Sequence, residues 1–209
     1  MSQKINYRKI IPFFYKWEGG LSRNQNDSAK KHPCPLPWKD PKDGKVKTGW
    51  HTNKGVTYSA WVGKFGRNND ERFMIMSDED WGVIFKEKYW DKVKGDDMPV
   101  QFVSDVLVAW AWGSGAVTAI KQMQRHLKFK KADQDGKIGN QTLGAIRVEV
   151  EKNPNFFVEL CNTREEFFRF ISDPKNARNE EERIRFKNNI QNLRGWLNRL
   201  NQFRKEFAP

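Results

Sequence analysis

Apolar residues recur at three- and four-residue spacing over most of the chain, the signature of amphipathic helices. Tyr7, Ile10, Ile11, Phe14 and Trp17 outline a first helix, and Gly19-Gly20 stops it, as glycines do just past a helix C-terminus. From Leu21 to Thr57 the period lapses. Asn, Asp, Gly and Lys dominate there, with Pro33, Pro35, Pro37 and Pro41 close together. This predicts an extended, turn-rich stretch with room for a short hairpin, too long for a mere connector. Ser77 is placed to cap the next helix, with Asp80 completing a variant capping box and Trp81, Ile84, Phe85 and Tyr89 on one face. The stretch from Phe102 to Trp112 is apolar on most sides, which predicts a buried central helix ended by Gly113-Ser114-Gly115. Val117, Ile120, Met123 and Leu127 mark another. Asn140 is placed to cap a helix carrying Leu143 and Ile146, and Phe156, Phe157, Leu160, Phe167, Phe168 and Ile171 outline one more. The last helix opens at Asn179, with Glu180, Glu181 and Glu182 at its positive end, and runs through Phe186, Ile190, Leu193, Leu197, Leu200 and Phe207. The fold class this predicts is mainly α, with one small irregular β-containing insert near the N-terminus.

The chain has 209 residues, enough for one large domain or two small ones, and 37% hydrophobic content with nine Trp and fifteen Phe excludes a disordered chain. Thirty-eight Lys and Arg against 26 Asp and Glu leave a net charge of +12. Residues 1–100 and 101–209 each carry 19 basic and 13 acidic side chains, so the excess is spread over a folded surface instead of gathered in a tail. Such a surface calls for an anionic partner: nucleic acid, membrane surface or bacterial cell wall. No apolar run reaches the roughly 20 residues of a membrane span, and no secretory signal is visible, so membrane insertion and classical export are both disfavoured. Cys34 and Cys161 stand far apart with no metal-spaced His nearby, which predicts two free thiols, not a disulfide or a zinc site.

Candidate chemistry begins with Glu18. At about 100° per residue it lies roughly 40° from Phe14 and 20° from Ile11 on the helical wheel, along the apolar face. Desolvation there, and the negative end of the helix dipole, both disfavour its ionised form. A carboxylic acid kept protonated near neutrality is what a general acid needs to protonate a leaving oxygen. The bland alternative is a solvated carboxylate at a frayed helix end. Gly19 and Gly20 would let a polymeric ligand approach the backbone. Asp27 follows nine residues later in a polar stretch, where it should stay ionised; one buried acid and one solvated carboxylate divide the labour in glycoside hydrolysis.

These residues and others in order resemble glycoside hydrolase family 108, lysozyme-like N-acetylmuramidases with a C-terminal peptidoglycan-binding part. Glu18-Gly19-Gly20, Asp27 and Thr52-Asn53-Lys54-Gly55-Val56-Thr57 resemble its E-G-G, its following Asp, and its G-G-x-T and T-N-x-G-[IV]-T stretches. Lys88-Tyr89-Trp90-Asp91 is similar to K-x-Y-W-D, and Trp110-Ala111-Trp112-Gly113-Ser114-Gly115 to W-x-W-x-S-G. Gln124 to Leu127 and Asp135 to Leu143 are similar to Q-x-x-L and D-G-x-[IV]-G-x-x-T-L, and Gly195 to Arg199 to the closing G-W-x-x-R.

The resemblance implies a lysozyme-like helical fold, with residues 1–97 as catalytic part and 98–209 as peptidoglycan-binding part, packed as one globular unit. It implies hydrolysis of the β-1,4 bond between N-acetylmuramic acid and N-acetylglucosamine, with Glu18 as general acid. Asp27 would act as nucleophile, base or electrostatic stabiliser, and Thr52, with Thr57 as neighbouring candidate, as the turn threonine. Gly19, Gly20, Trp50, Asn53 and Thr57 are the expected substrate contacts. The partner is the peptidoglycan glycan strand, with no metal or organic cofactor, no nucleic acid, and a monomer expected. The enzyme would be made in the cytoplasm of a phage- or prophage-bearing cell and act on the wall. A lytic transglycosylase using Glu18 alone, and a non-catalytic wall- or nucleic-acid-binding protein, are the competing classes.

Two departures bear on this. An insert of about twenty residues separates Asp27 from Gly49 and Trp50 replaces the second turn glycine, so Asp40 or Asp43 compete for the second carboxylate role. Many relatives have an Asp where this chain has Ala109. Trp110 and Trp112 are expected in the core, whereas Trp38 and Trp50 in the insert are open to stacking on a sugar. His32, His51 and His126 are expected as incidental surface residues. Asp133, Asp135 and Gly136 do not match a calcium loop, because Lys131 and Thr142 fall at its first and last ligand positions. The late basic helix is expected to be a solvated face.

Overall fold

A computed structural model describes residues 5–25 and 27–209, and the fold is mainly α. The chain divides into two compact units. One is Arg8–Lys88; the other joins the described residues up to Tyr7 to Tyr89–Pro209.

In the Arg8–Lys88 unit, the helix predicted from Tyr7 is broken near its start. Tyr7–Lys9 is a 3-10 turn and α1 runs over Ile11–Trp17. Pro12 is the cause: it has no N–H to give the preceding turn, but it fits the first turn of a new helix. α1 buries Phe13 and Phe14, and the Phe14 ring lies 4.9 Å from Phe85 and 6.2 Å from Trp81. Two antiparallel hairpins follow, β1 (Trp38–Lys39) with β2 (Val46–Lys47), and β3 (Thr52–Asn53) with β4 (Val56–Thr57). α2 (Tyr58–Phe65), α3 (Asp70–Met74) and α4 (Asp78–Phe85) complete the unit. Ser77 caps α4 as predicted, accepting from the Asp80 amide at 3.1 Å. The Asp80 carboxylate in turn accepts from Ser77, completing the expected box, and also pairs with the Arg72 guanidinium.

The second unit is built on α5 (Gln101–Ser114), which is buried from Val103 through Ala111 and packs against α6 (Ala116–His126) and α8 (Phe156–Phe170). α7 (Asn140–Lys152) lies between α6 and α8 in sequence, and α9 (Glu180–Phe207) packs on α8. Trp110 is 1% exposed, in the core as expected, and Trp112 is half-buried. The predicted Asn179 cap is present, its side chain accepting from Glu182 N at 2.9 Å. Asn140 instead sits one residue inside α7, and Gly139 holds the cap position.

The stretch from Gln124 to Thr142 has a structural explanation. The Gln124 side chain is 1% exposed. It donates to Asp135 Oδ1 at 2.8 Å and Lys137 O at 3.0 Å, and accepts from Gly136 N at 2.9 Å. Gly136 has φ +77°, and a Cβ there would come within 2.7 Å of Val117 Cγ1, so only glycine serves. Asp135 is thus a clasp residue. Among the described residues no group of three or more His, Cys, Asp or Glu is placed to hold a metal, and no helix is long and apolar enough to cross a membrane. Cys34 and Cys161 are both buried free thiols; burial raises both, Cys161 to about 11.

Candidate active site

Glu18 stands one residue beyond α1. Its backbone has turned extended (φ −91°, ψ 125°), and its N–H closes the helix on Phe14 O at 3.0 Å. The helical-wheel position therefore does not apply at Glu18, since the chain leaves the helix there. The side chain is half-buried, neither wedged in the core nor waving in solvent. Gly19 and Gly20 are exposed, neither has positive φ, and a Cβ on either would meet nothing within 4 Å. Nothing within the described chain requires glycine at these two positions.

The chain then returns to the second hairpin. Ser22 forms an antiparallel bridge with Thr52: Ser22 N donates to Thr52 O at 2.8 Å, and His51 N donates to Ser22 O at 3.1 Å. The expected incidental histidine His51 is in fact 0% exposed. Its Nε2 lies 3.2 Å from Asn24 O and its Nδ1 lies 3.0 Å from Thr52 Oγ1. A carbonyl only accepts, so Nε2 carries the proton; in the neutral ring Nδ1 is then the acceptor and the Thr52 hydroxyl donates to it. Asn24 O also accepts from Asp27 N at 3.0 Å. Asp27 caps the 3-10 turn Ser28–Lys31, its Oδ1 accepting from Ala29 N at 2.9 Å. One hydrogen-bonded scaffold thus carries the segment after Glu18, the loop that presents Asp27, and Thr52.

His51 had no signal in the sequence, because its partner on the far side of the ring lies 27 residues away in an irregular loop. His126 is likewise no surface residue: it is half-buried, bonds Thr163 Oγ1 at 2.9 Å, and is held below the ordinary imidazole range by desolvation. His32 is exposed.

Three expected substrate contacts have structural work of their own. Trp50 is 2% exposed, and its indole N–H donates to Lys47 O at 3.0 Å, so no ring face is open to a sugar. Asn53 is 4% exposed, with its amide donating to Phe73 O at 2.7 Å and Met74 O at 3.2 Å. Thr57 caps α2 through Ala60 N at 3.2 Å. Lys54 (φ 46°) and Gly55 (φ 76°) form the two-residue turn between β3 and β4, where both φ values must be positive. The T-N-x-G-V-T stretch is therefore chiefly a hairpin, and Thr52 is the member tied to the Glu18 and Asp27 segments. Trp38 is half-buried.

The competing carboxylates Asp40 and Asp43 are both occupied. Lys47 Nζ lies 2.7 Å from each, and its hydrogen bonds hold both carboxyls below the usual range. They close the β1–β2 hairpin of the insert.

A half-buried carboxylate at a helix end, a second one capping a short turn, and a hydroxyl beside a buried histidine are residue types that a carbohydrate-cleaving hydrolase uses. The chain belongs to the glycosyl hydrolase 108 family, whose model matches residues 11–115, and a predicted peptidoglycan domain matches residues 118–201. It is a glycoside hydrolase directed at peptidoglycan. The structure of Brucella abortus SagA is similar, with a TM-score of 0.65 and 24% identity over 96% of this chain and 94% of that one. That likeness, with the family, makes the fold lysozyme-like. No curated protein matches the chain.

Proposed function

We propose that the protein is an N-acetylmuramidase that hydrolyses the β-1,4 bond between N-acetylmuramic acid and N-acetylglucosamine in the bacterial wall. Glu18 delivers a proton to the glycosidic oxygen. Asp27, with Oδ1 held by Ala29 N, turns Oδ2 to the oxocarbenium-like centre or to an attacking water. Thr52 donates a hydrogen bond to His51 Nδ1, which leaves its hydroxyl oxygen to accept from that water. The observation that carries this reading is the shared scaffold of Ser22–Thr52, Asn24–His51 and Asp27–Asn24 hydrogen bonds, which holds three separate pieces of sequence in register. Gly19 and Gly20, free of any packing demand, supply the open backbone beside the acid on which a glycan strand rests.

Mass spectrometry of digested peptidoglycan tests the bond. New reducing ends on N-acetylmuramic acid are expected. Ends on N-acetylglucosamine would make the enzyme a glucosaminidase, and anhydro ends would make it a lytic transglycosylase. Binding without new ends would leave a wall-binding protein.

A further inference from the structure

The Tyr89–Pro209 unit contains a cleft of about 780 Å³ with no part in the chemistry above. Its floor holds Arg164, on α8, 4% exposed. One guanidinium nitrogen, Nη2, donates to Ala109 O at 2.7 Å, while the buried Nε–H has no hydrogen-bond partner. Among the described residues no carboxylate reaches this guanidinium, and Arg199 on the cleft wall adds a like charge. Desolvation pushes Arg164 well below the ordinary arginine range, to about 9. A buried cation without a counter-charge is costly, the Phe168 ring 5.3 Å from its guanidinium offsets only part of that, and the cost is relieved when an anion enters.

The rest of the lining describes that anion. Arg125 is exposed on α6 beside the cleft; of the two acids in the lining, Glu182 is already taken by Arg178 and Arg185, and Glu166 is exposed. Phe167, Phe186 and Trp196 supply an apolar wall, which a bare inorganic ion would leave unused. Most of the cleft falls within residues 118–201, the stretch that matches a peptidoglycan domain. In that polymer the free carboxylates lie on the peptide stems, not along the sugar backbone. We infer that this cleft binds peptidoglycan through a stem-peptide carboxylate, with Arg164 as its buried counter-ion and the aromatic wall against the peptide's apolar groups. The inference rests on the wall-polymer reading but not on which glycosidic bond is cut.

The test titrates the 209-residue chain with muramyl dipeptide bearing a free carboxylate, its carboxamide counterpart, a peptide-free chitin oligomer and inorganic phosphate. The readouts are the NMR signals of the Arg164 Nε–H and the Trp196 indole. The acid is expected to bind and shift both signals, with the carboxamide about tenfold weaker or worse, the loss of one charge-assisted hydrogen bond. Arg164→Gln is expected to lose about tenfold in affinity. Should that variant misfold, Arg125→Glu at the exposed rim is expected to lose severalfold by charge reversal alone. Equal binding of acid and amide, preference for the chitin oligomer, binding of phosphate at the acid's affinity, or no binding at all would each overturn the inference. Clearing of a peptidoglycan suspension, measured on the same sample, separates the two claims: lysis without dipeptide binding removes the stem-peptide cleft and leaves the hydrolase standing.

Discussion

His51 bridges the Asn24 carbonyl and the Thr52 hydroxyl, the proposed water-positioning group. Its ring fixes which way the Thr52 proton points, so His51→Ala should act on turnover more than on binding. A kcat about tenfold lower with KM within about twofold is expected, because positioning is lost while sugar contacts stay. A KM raised as far as kcat is lowered, together with a lower melting temperature, would make His51 a purely structural residue. Thr52→Ser keeps the hydroxyl and should retain most activity, whereas Thr52→Val should not. Asn53→Ala removes the amide from Phe73 O, which keeps Met76 N at 3.4 Å, and from Met74 O, and is expected to cost about 1–3 kcal/mol in urea unfolding without altering the products. At this scale the sequence was an uneven guide. Glu18 and Asp27 stood out by residue type and spacing, but Trp50, His51 and Asn53 depend on partners 3 to 27 residues away that no local pattern reveals. An aromatic or polar residue in an irregular stretch reads as exposed until the fold supplies its neighbours.

Elements were more legible where one local interaction decides them. Ser77 and Asn179 cap because a short acceptor side chain meets the third amide of the helix, and both positions were readable. Glu18 leaving α1 and the break at Pro12 turn on single residues at a helix end, where a wheel drawn from periodicity overruns. The insert between Asp27 and Gly49 read as turn-rich. That its two acidic residues serve one lysine depends on the β1–β2 register, which pairs Trp38 with Lys47. The start of α9 carries a pH signature. Hydrogen bonds from Arg178 lower Glu182 from 4.5 to about 2, so the folded state binds its proton more weakly than the unfolded chain does. The stability this brings is complete above the unfolded value and drains away as pH falls from about 4.5 toward about 2. Melting temperatures of wild type and Glu182→Gln should therefore converge as the pH is lowered through that window. A gap that stays constant would remove the ion pair from the explanation.

The whole molecule joins a hydrolase part to a wall-directed part under a net charge of +12. The even spread of that charge between the halves was visible from the sequence, as was the order of family stretches; the cleft at Arg164 was not, since it requires three helices to leave one guanidinium without an acid. Attraction between a cationic surface and an anionic wall is screened by salt, with a Debye length of about 10 Å at 0.1 M and about 3 Å at 1 M. Co-sedimentation with peptidoglycan should fall steadily as sodium chloride is raised across that range, and salt-independent binding would show that contact chemistry, not net charge, holds the protein on the wall. The most direct test of the account is the rate at which Glu18→Gln clears a peptidoglycan suspension relative to wild type. Removing the proton donor while keeping its shape predicts a loss of about a hundredfold or more with the variant still folded, whereas clearing within a few-fold of wild type would contradict Glu18 as the general acid.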